Sequence, residues 1–176
     1  MKYIKNKIKG SFHIQLEKRG DSRGFFSRVF CKSEFNKMRI TSKIDQVNLS
    51  FSRDKGTVRG MHYQLKPSDE MKLVMCTKGA IFDVIIDLRK KSSSYKKWFG
   101  VRLDSKKKNM LLVPEGCAHG FQTLDRNSEV MYLVSKSYNP KLERGLRWND
   151  KKFKIKWPLR VSELSEKDKN WEDFKE

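Results

Sequence analysis

Between residues 46 and 134 the chain keeps repeating one pattern, a short run of strand-type residues followed by a glycine, proline or polar turn. The runs are 46–52, 56–64, 72–76, 80–87, 98–103, 110–113, 119–124 and 129–134. Many short strands at regular spacing, with few helical periods between them, predict an all-β sandwich or jelly-roll barrel. Upstream, residues 11–17 alternate as a strand should, with His13 expected to be a surface or packing residue. Gly20 to Gly24 is a turn cluster leading into an aromatic strand over 25–30. Residues 32–39 fit a short helix with Ser33 as N-cap, and the polar stretch 162–168 fits a loop or short helix. No repeat, low-complexity linker or composition break divides the chain, so residues 1–176 are expected to form a single domain.

Composition narrows the classes. Hydrophobic residues make up 37% of the chain, and 11 Phe, 5 Tyr and 4 Trp supply more aromatic material than disordered chains carry. The formal net charge of +19, from 40 Lys and Arg against 21 Asp and Glu, admits three readings. It can mark nucleic-acid binding, an anionic small-molecule substrate, or a lysine-rich solvated surface. The lysines are scattered, with only short clusters at 106–108 and 151–152, whereas a nucleic-acid tail is usually one longer block. The expectation is therefore no nucleic-acid partner. Cys31, Cys76 and Cys117 are odd in number and form no C-x-x-C pair, so they read as reduced, buried thiols of a cytoplasmic protein. Residues 1–7 lack the apolar core of a signal peptide, and no apolar run approaches the roughly 20 residues that span a bilayer. A soluble protein with no membrane partner is expected.

The chemistry concentrates in Gly56-Thr57-Val58-Arg59-Gly60-Met61-His62-Tyr63-Gln64, where an arginine and one of three histidines interrupt a strand. Strict alternation puts Arg59 and His62 on opposite faces, and Gly60 between them suits a bulge that re-aims one. There is no G-x-G phosphate loop, no G-x-S-x-G elbow and no Cys/His metal spacing. A jelly roll that brought His62, His119 and a carboxylate together could still hold a metal. Otherwise general acid–base chemistry remains, from histidines, tyrosines, lysines and carboxylates lining a barrel.

These residues carry a family resemblance. Asp21-x-Arg23-Gly24-x-Phe26, Gln46-x-Asn48-x-Ser50, Gly56-Thr57-x-Arg59-Gly60-x-His62-Tyr63-Gln64 and Lys72-Leu73-Val74-x-Cys76 resemble successive motifs of the dTDP-4-dehydrorhamnose 3,5-epimerases. Asp83-Val84, Asp87-Leu88-Arg89, Pro114-x-Gly116-x-Ala118-His119-Gly120-Phe121 and Glu129-Val130-x-Tyr132 continue the series. Tyr138-x-Pro140, Trp148-x-Asp150 and Leu164-Ser165-x-Lys167-Asp168 complete it, in order over nearly the whole chain. The resemblance implies a cupin-type jelly roll that works without metal or redox cofactor on a nucleoside-diphosphate 4-keto-6-deoxy sugar. The 4-keto group acidifies C3 and C5, and each centre inverts through an enolate.

On this resemblance His62 matches the base, Asp168 its carboxylate partner, Tyr132 the acid on the opposite side, and Lys72 the cation near the keto oxygen. Arg23, Arg59 and Lys167 match contacts to the diphosphate or sugar, and Gln46 and Asn48 match contacts to the nucleotide. His119 and Glu143 match further substrate contacts, Tyr138 a ring stacked on the base, and Arg28 falls at a position in the substrate pocket. The resemblance also implies a homodimer in which the Arg23 segment crosses to the second subunit. Two positions depart from the pattern: Arg28 stands where the dTDP-rhamnose members carry a glutamate, and Val47 where they often carry an acid. One extra residue separates Asn48 from Gly56. These departures lie on the nucleotide and sugar side, so they leave the reaction class in place and open the base, the sugar, and the choice of C3, C5 or both.

Overall fold

In the computed structural model, which describes residues 1–175, the strand series forms two facing antiparallel sheets. The first runs, edge to edge, β1 (Lys2–Lys5), β2 (Phe12–Gln15), β10 (Asn109–Val113), β7 (Lys72–Lys78), β12 (Ser128–Val134) and β5 (Gln46–Ser52). The second runs β13 (Glu143–Gly145), β6 (Val58–Gln64), β11 (Cys117–Thr123), β8 (Ala80–Asp87) and β9 (Trp98–Asp104). A separate hairpin pairs β3 (Arg19–Asp21) with β4 (Gly24–Phe26), and two short helices, α1 (Lys32–Lys37) and α2 (Glu166–Lys169), lie outside the sheets. This is the mainly-β jelly-roll arrangement expected. None of the described helices is long and apolar enough to cross a membrane.

Side-chain alternation sorts the strands into an inner and an outer set. Val74, Cys76, Ile81, Ile85, Leu111 and Val130 meet between the sheets. The outer face of the first sheet carries Leu73, Met75, Met110, Leu112 and Leu133, covered by Phe35 of α1 together with Val29 and Phe30. On the outer face of the second, Met61, Val84, Ile86 and Ala118 lie under Leu146, Phe153 and Trp157 of the C-terminal segment. Coverage on both faces explains why β8 reads as an almost continuous apolar run. β5 alternates cleanly because it is an edge strand with one face open, where Val47, Leu49 and Phe51 are exposed. At the end of β8, Asp87 is fully buried and accepts from Arg89, Ser92 and Ser94. Burial pushes its carboxyl up, but those bonds prevail and hold its pKa at about 2.

Several local expectations are corrected. The aromatic strand over 25–30 stops at Phe26, because Val29 and Phe30 turn in to cover the first sheet. The expected turn at Gly20–Gly24 is tighter: Gly20 and Gly24 belong to β3 and β4, leaving Ser22 and Arg23 at the tip. Cys31, not Ser33, occupies the N-cap of α1, and its side chain makes no cap bond. All three cysteines are free, but Cys31 is only partly buried.

The bulge in β6 is present. His119 pairs with His62 and Phe121 with Arg59, so Gly60 and Met61 together oppose the single residue Gly120. Gly60 has φ +125°, and a Cβ there would lie 2.5 Å from the Cα of Gly120. Such a position excludes every residue but glycine. Gly60→Ala is expected to cost about 2–5 kcal/mol through backbone strain and overpacking, read as a lowered midpoint in chemical denaturation.

Candidate active site

The bulge places Arg59 and His62 on the same side of β6, at an open end of the sandwich where two adjoining lobes of about 340 and 400 Å³ share His62, Lys72 and Tyr132. His62 belongs to the second sheet; Lys72 and Tyr132 are inward-facing residues of the neighbouring strands β7 and β12 in the first. The lobes therefore lie between a histidine on one wall and a tyrosine and lysine on the other.

The first lobe adds Gln46 and Asn48 from β5, Gln64, Glu70, Tyr138 and Glu143. Gln46 Oε1 accepts from the Tyr138 N–H at 2.8 Å, and the Tyr138 hydroxyl donates to Glu143 Oε2 at 2.5 Å. That bond to a carboxylate pushes the Tyr138 phenol up to about 12. Burial pushes the Glu143 carboxyl up, but the Lys167 ammonium bound to it and the Tyr138 hydroxyl bring it below its ordinary value.

The second lobe is cationic. Arg59, Lys167 and His119 line it, with Ser50, Glu163 and Asp168. The Arg59 guanidinium is braced by Ser52 Oγ at 3.0 Å and the Phe51 carbonyl at 2.9 Å, which aims it along the lobe. Asp168 arrives from the C-terminal segment at the start of α2, where Ser165 Oγ accepts from its N–H at 3.1 Å. Its Oδ1 lies 2.5 Å from His62 Nε2, and its Oδ2 accepts from the Gly60 N–H at 3.2 Å. Trp171 Nε1 also donates to Oδ1, at 3.3 Å. Burial raises the Asp168 carboxyl, but His62 and the Gly60 N–H outweigh that and hold it below the usual aspartate range. A carboxylate bonded to one ring nitrogen fixes the orientation of the imidazole.

A second histidine–aspartate pair lies deeper. His119 Nε2 is 2.8 Å from Asp83 Oδ1, and the other Asp83 oxygen is buried without a hydrogen-bond partner. Burial drives the Asp83 carboxyl up, against the pull of His119 and Lys72. Both histidines that the sequence left open as metal ligands thus have Nε2 engaged by an aspartate. Among the described residues, no three His, Cys, Asp or Glu side chains gather as a metal set.

Eleven of the thirteen predicted site residues line the two lobes; Arg23 and Arg28 do not. Arg23 is an exposed hairpin residue paired with Asp21 at 2.6 Å, and Arg28 faces Glu34 at 3.5 Å in a small cleft near the N-terminus. Sequence reasoning missed Glu70, Gln64, Asp83 and Trp171. Asp83 does leave a signal, as a carboxylate at an inward position in the middle of an apolar strand.

Comparisons with known proteins place the chain in a family. The family profile for dTDP-4-dehydrorhamnose 3,5-epimerase matches residues 5–176. This chain belongs to that family. A dTDP-4-dehydrorhamnose 3,5-epimerase of Shigella flexneri is 39% identical over 175 residues, 99% of this chain and 96% of the relative. The crystal structure of the Bacillus anthracis family member with TDP and PPi bound superposes with a TM-score of 0.95 at 38% identity, covering 98% of this chain and 99% of that one. The Legionella pneumophila enzyme, in complex with dTDP-4-keto-L-rhamnose, gives 0.92 at 34% identity, covering 98% and 92%.

The depressed Asp168 carboxyl has a consequence for acid stability. A lowered native pKa contributes stability that is full above the unfolded value, near about 4, and is lost as pH falls through the native value. Urea midpoints followed downward from about pH 6 should fall on acidification, and Asp168→Asn should flatten that fall.

Proposed function

We propose that this chain epimerises C3 and C5 of a dTDP-linked 4-keto-6-deoxy sugar through enolate intermediates, by proton abstraction and reprotonation. The observation that carries the proposal is the placement of His62 and Tyr132 on facing sheets, with Lys72 beside the tyrosine. An sp³ centre inverts only if the proton leaves from one face and returns on the other, so the base and acid must flank the ring. His62, oriented and charge-balanced by Asp168, takes the proton. Lys72 offers its ammonium to the oxygen on which negative charge develops. Tyr132 returns a proton from the opposite wall. It stays protonated because burial, reinforced by the charges of Glu70 and Glu143, holds its phenol above the ordinary value against the pull of Arg59.

The rest of the cleft suits a nucleoside diphosphate. Arg59 and Lys167 supply positive charge for the diphosphate or sugar, and His119 offers a further substrate contact. Gln46, Asn48 and Glu143 offer polar contacts, and the exposed Tyr138 ring offers a face for the base. His62→Asn should cut solvent deuterium incorporation at the sugar carbons by about 10²–10⁴-fold while leaving dTDP affinity nearly unchanged. NMR of the product formed in deuterated water reads both carbons, and label at one carbon alone would reduce the activity to a mono-epimerase.

The working unit is a homodimer. Val47, Leu49 and Phe51 form an exposed apolar stripe on edge strand β5, and Phe25 and Phe26 expose a second on the β3–β4 hairpin. An open apolar edge favours pairing with another strand. The hairpin of one subunit set against β5 of the other would bring Arg23 and Arg28 towards the first lobe, whose Gln46 and Asn48 stand on the other face of that strand. Leu49→Glu should convert a dimer into a monomer in sedimentation velocity; a wild-type chain that sediments as a monomer would refute the assembly.

A further inference from the structure

Glu70 lines the first lobe, and beyond the influence of its charge on Tyr132 the proposed reaction gives it no part. It sits two residues before Lys72, and its side chain is only 8% exposed. One carboxylate oxygen lies 3.1 Å from the Lys72 ammonium; the other accepts from Gln64 Nε2 at 3.1 Å. Gln64 is itself fixed, because its Oε1 accepts from the Asn139 N–H at 2.9 Å. A nearly buried carboxylate is costly unless paired, and here both oxygens are held, one of them by a group proposed to do chemistry. We infer that Glu70 is a positioning residue of the epimerisation, fixing the Lys72 ammonium in the cleft and placing a negative charge in the lobe that Tyr132 lines. This rests on the epimerase reading and on the parts given there to Lys72 and Tyr132.

Two features of the site support the inference. Lys72 has a long, flexible stem, and an unanchored ammonium would spread over many rotamers. The Glu70 bond selects one of them before substrate arrives. Tyr132 lies on the neighbouring strand, paired with Val74, while Lys72 pairs with Val134, so the two side chains are diagonal neighbours on one inner face. After burial, Glu70 is the leading influence favouring the protonated phenol, ahead of Glu143 and against the opposing pull of Arg59. The other charged or titratable groups around this pair are Arg59, His62 and Tyr63 from β6, Asp83 from β8, His119 from β11, Glu143 from β13, Tyr138, Glu163, and Lys167 and Asp168 from α2. Glu143 is engaged by Lys167 and Tyr138, and Asp168 by His62, whereas Glu70 is paired with Lys72 itself.

The sign of the effect follows. A tyrosinate cannot donate, so activity falls on the alkaline side as Tyr132 loses its proton. Removing the negative charge of Glu70 eases that loss and moves the alkaline limb to lower pH. Glu70→Gln keeps an oxygen for Gln64 and removes only the charge. In rates of carbon-bound proton exchange in dTDP-4-dehydro-6-deoxyglucose, the alkaline limb of kcat should drop by about one pH unit. The loss near neutral pH should be no more than about tenfold, with dTDP affinity unchanged. Glu115→Gln, the same charge change beside a separate cavity near Gly10 and Pro114, should leave the profile in place. Glu70→Asp keeps the charge but withdraws it from Lys72, so it should lower kcat without moving the limb. An unshifted limb in Glu70→Gln overturns the inference, whatever its rate. If that variant does not fold, unchanged kcat or a shifted limb in Glu70→Asp does so instead. A wild-type chain that exchanges no carbon-bound proton would refute the epimerase reading itself, a distinct result.

Discussion

The Asp168 carboxylate ties together three parts of the chain that the rest of the site depends on. One oxygen bonds the His62 imidazole and the other the Gly60 N–H, so the tail, the bulge and the histidine share one anchor. Without the bulge, Arg59 and His62 would face opposite sides of β6. The Gly60–Gly120 approach makes the bulge possible, and the Gly60 N–H it frees from the ladder is bonded by the carboxylate that orients the histidine. Backbone irregularity and side-chain chemistry are thus one structural solution.

The two-sheet architecture supplies the geometry that the proposed acid–base inversion requires. Facing sheets in a sandwich are about 10 Å apart, roughly the room for a pyranose ring with a side chain on either face. His62 and the His119–Asp83 pair come from one sheet, Lys72 and Tyr132 from the other, all at inward positions set by the period-two pleat. His62, Lys72 and Tyr132, the groups given the proposed chemical roles, stand on strands rather than loops, which keeps their separation fixed.

Much of this was legible in the sequence, for identifiable reasons. The run Gln46–Ser52 could be read to the residue because an edge strand with one open face alternates cleanly. β8 was equally plain as an apolar run between turns. The hairpin and α1 were less so, because Phe25 and Phe26 project outward while Val29 and Phe30 turn in, a change that follows from tertiary cover and not from local propensity. Strands β1 and β13 are too short to show a period. In the site, histidine, tyrosine and lysine within recognisable motifs stood out. Glu70 did not, since a carboxylate in a polar loop looks like surface until the fold turns it under Gln64 towards Lys72.

The pairing of His62 with Asp168 also bears on how the molecule matures. The two residues are separated by 106 positions, and the segment carrying Asp168 covers the second sheet only once that sheet exists. Closing so long a loop is slow relative to forming local hairpins, and it gains its contacts last. A chain with both sheets assembled but its tail undocked would be native in most spectroscopic respects and still lack the carboxylate that orients His62. Turnover would therefore report completion of folding later than any signal from the strands.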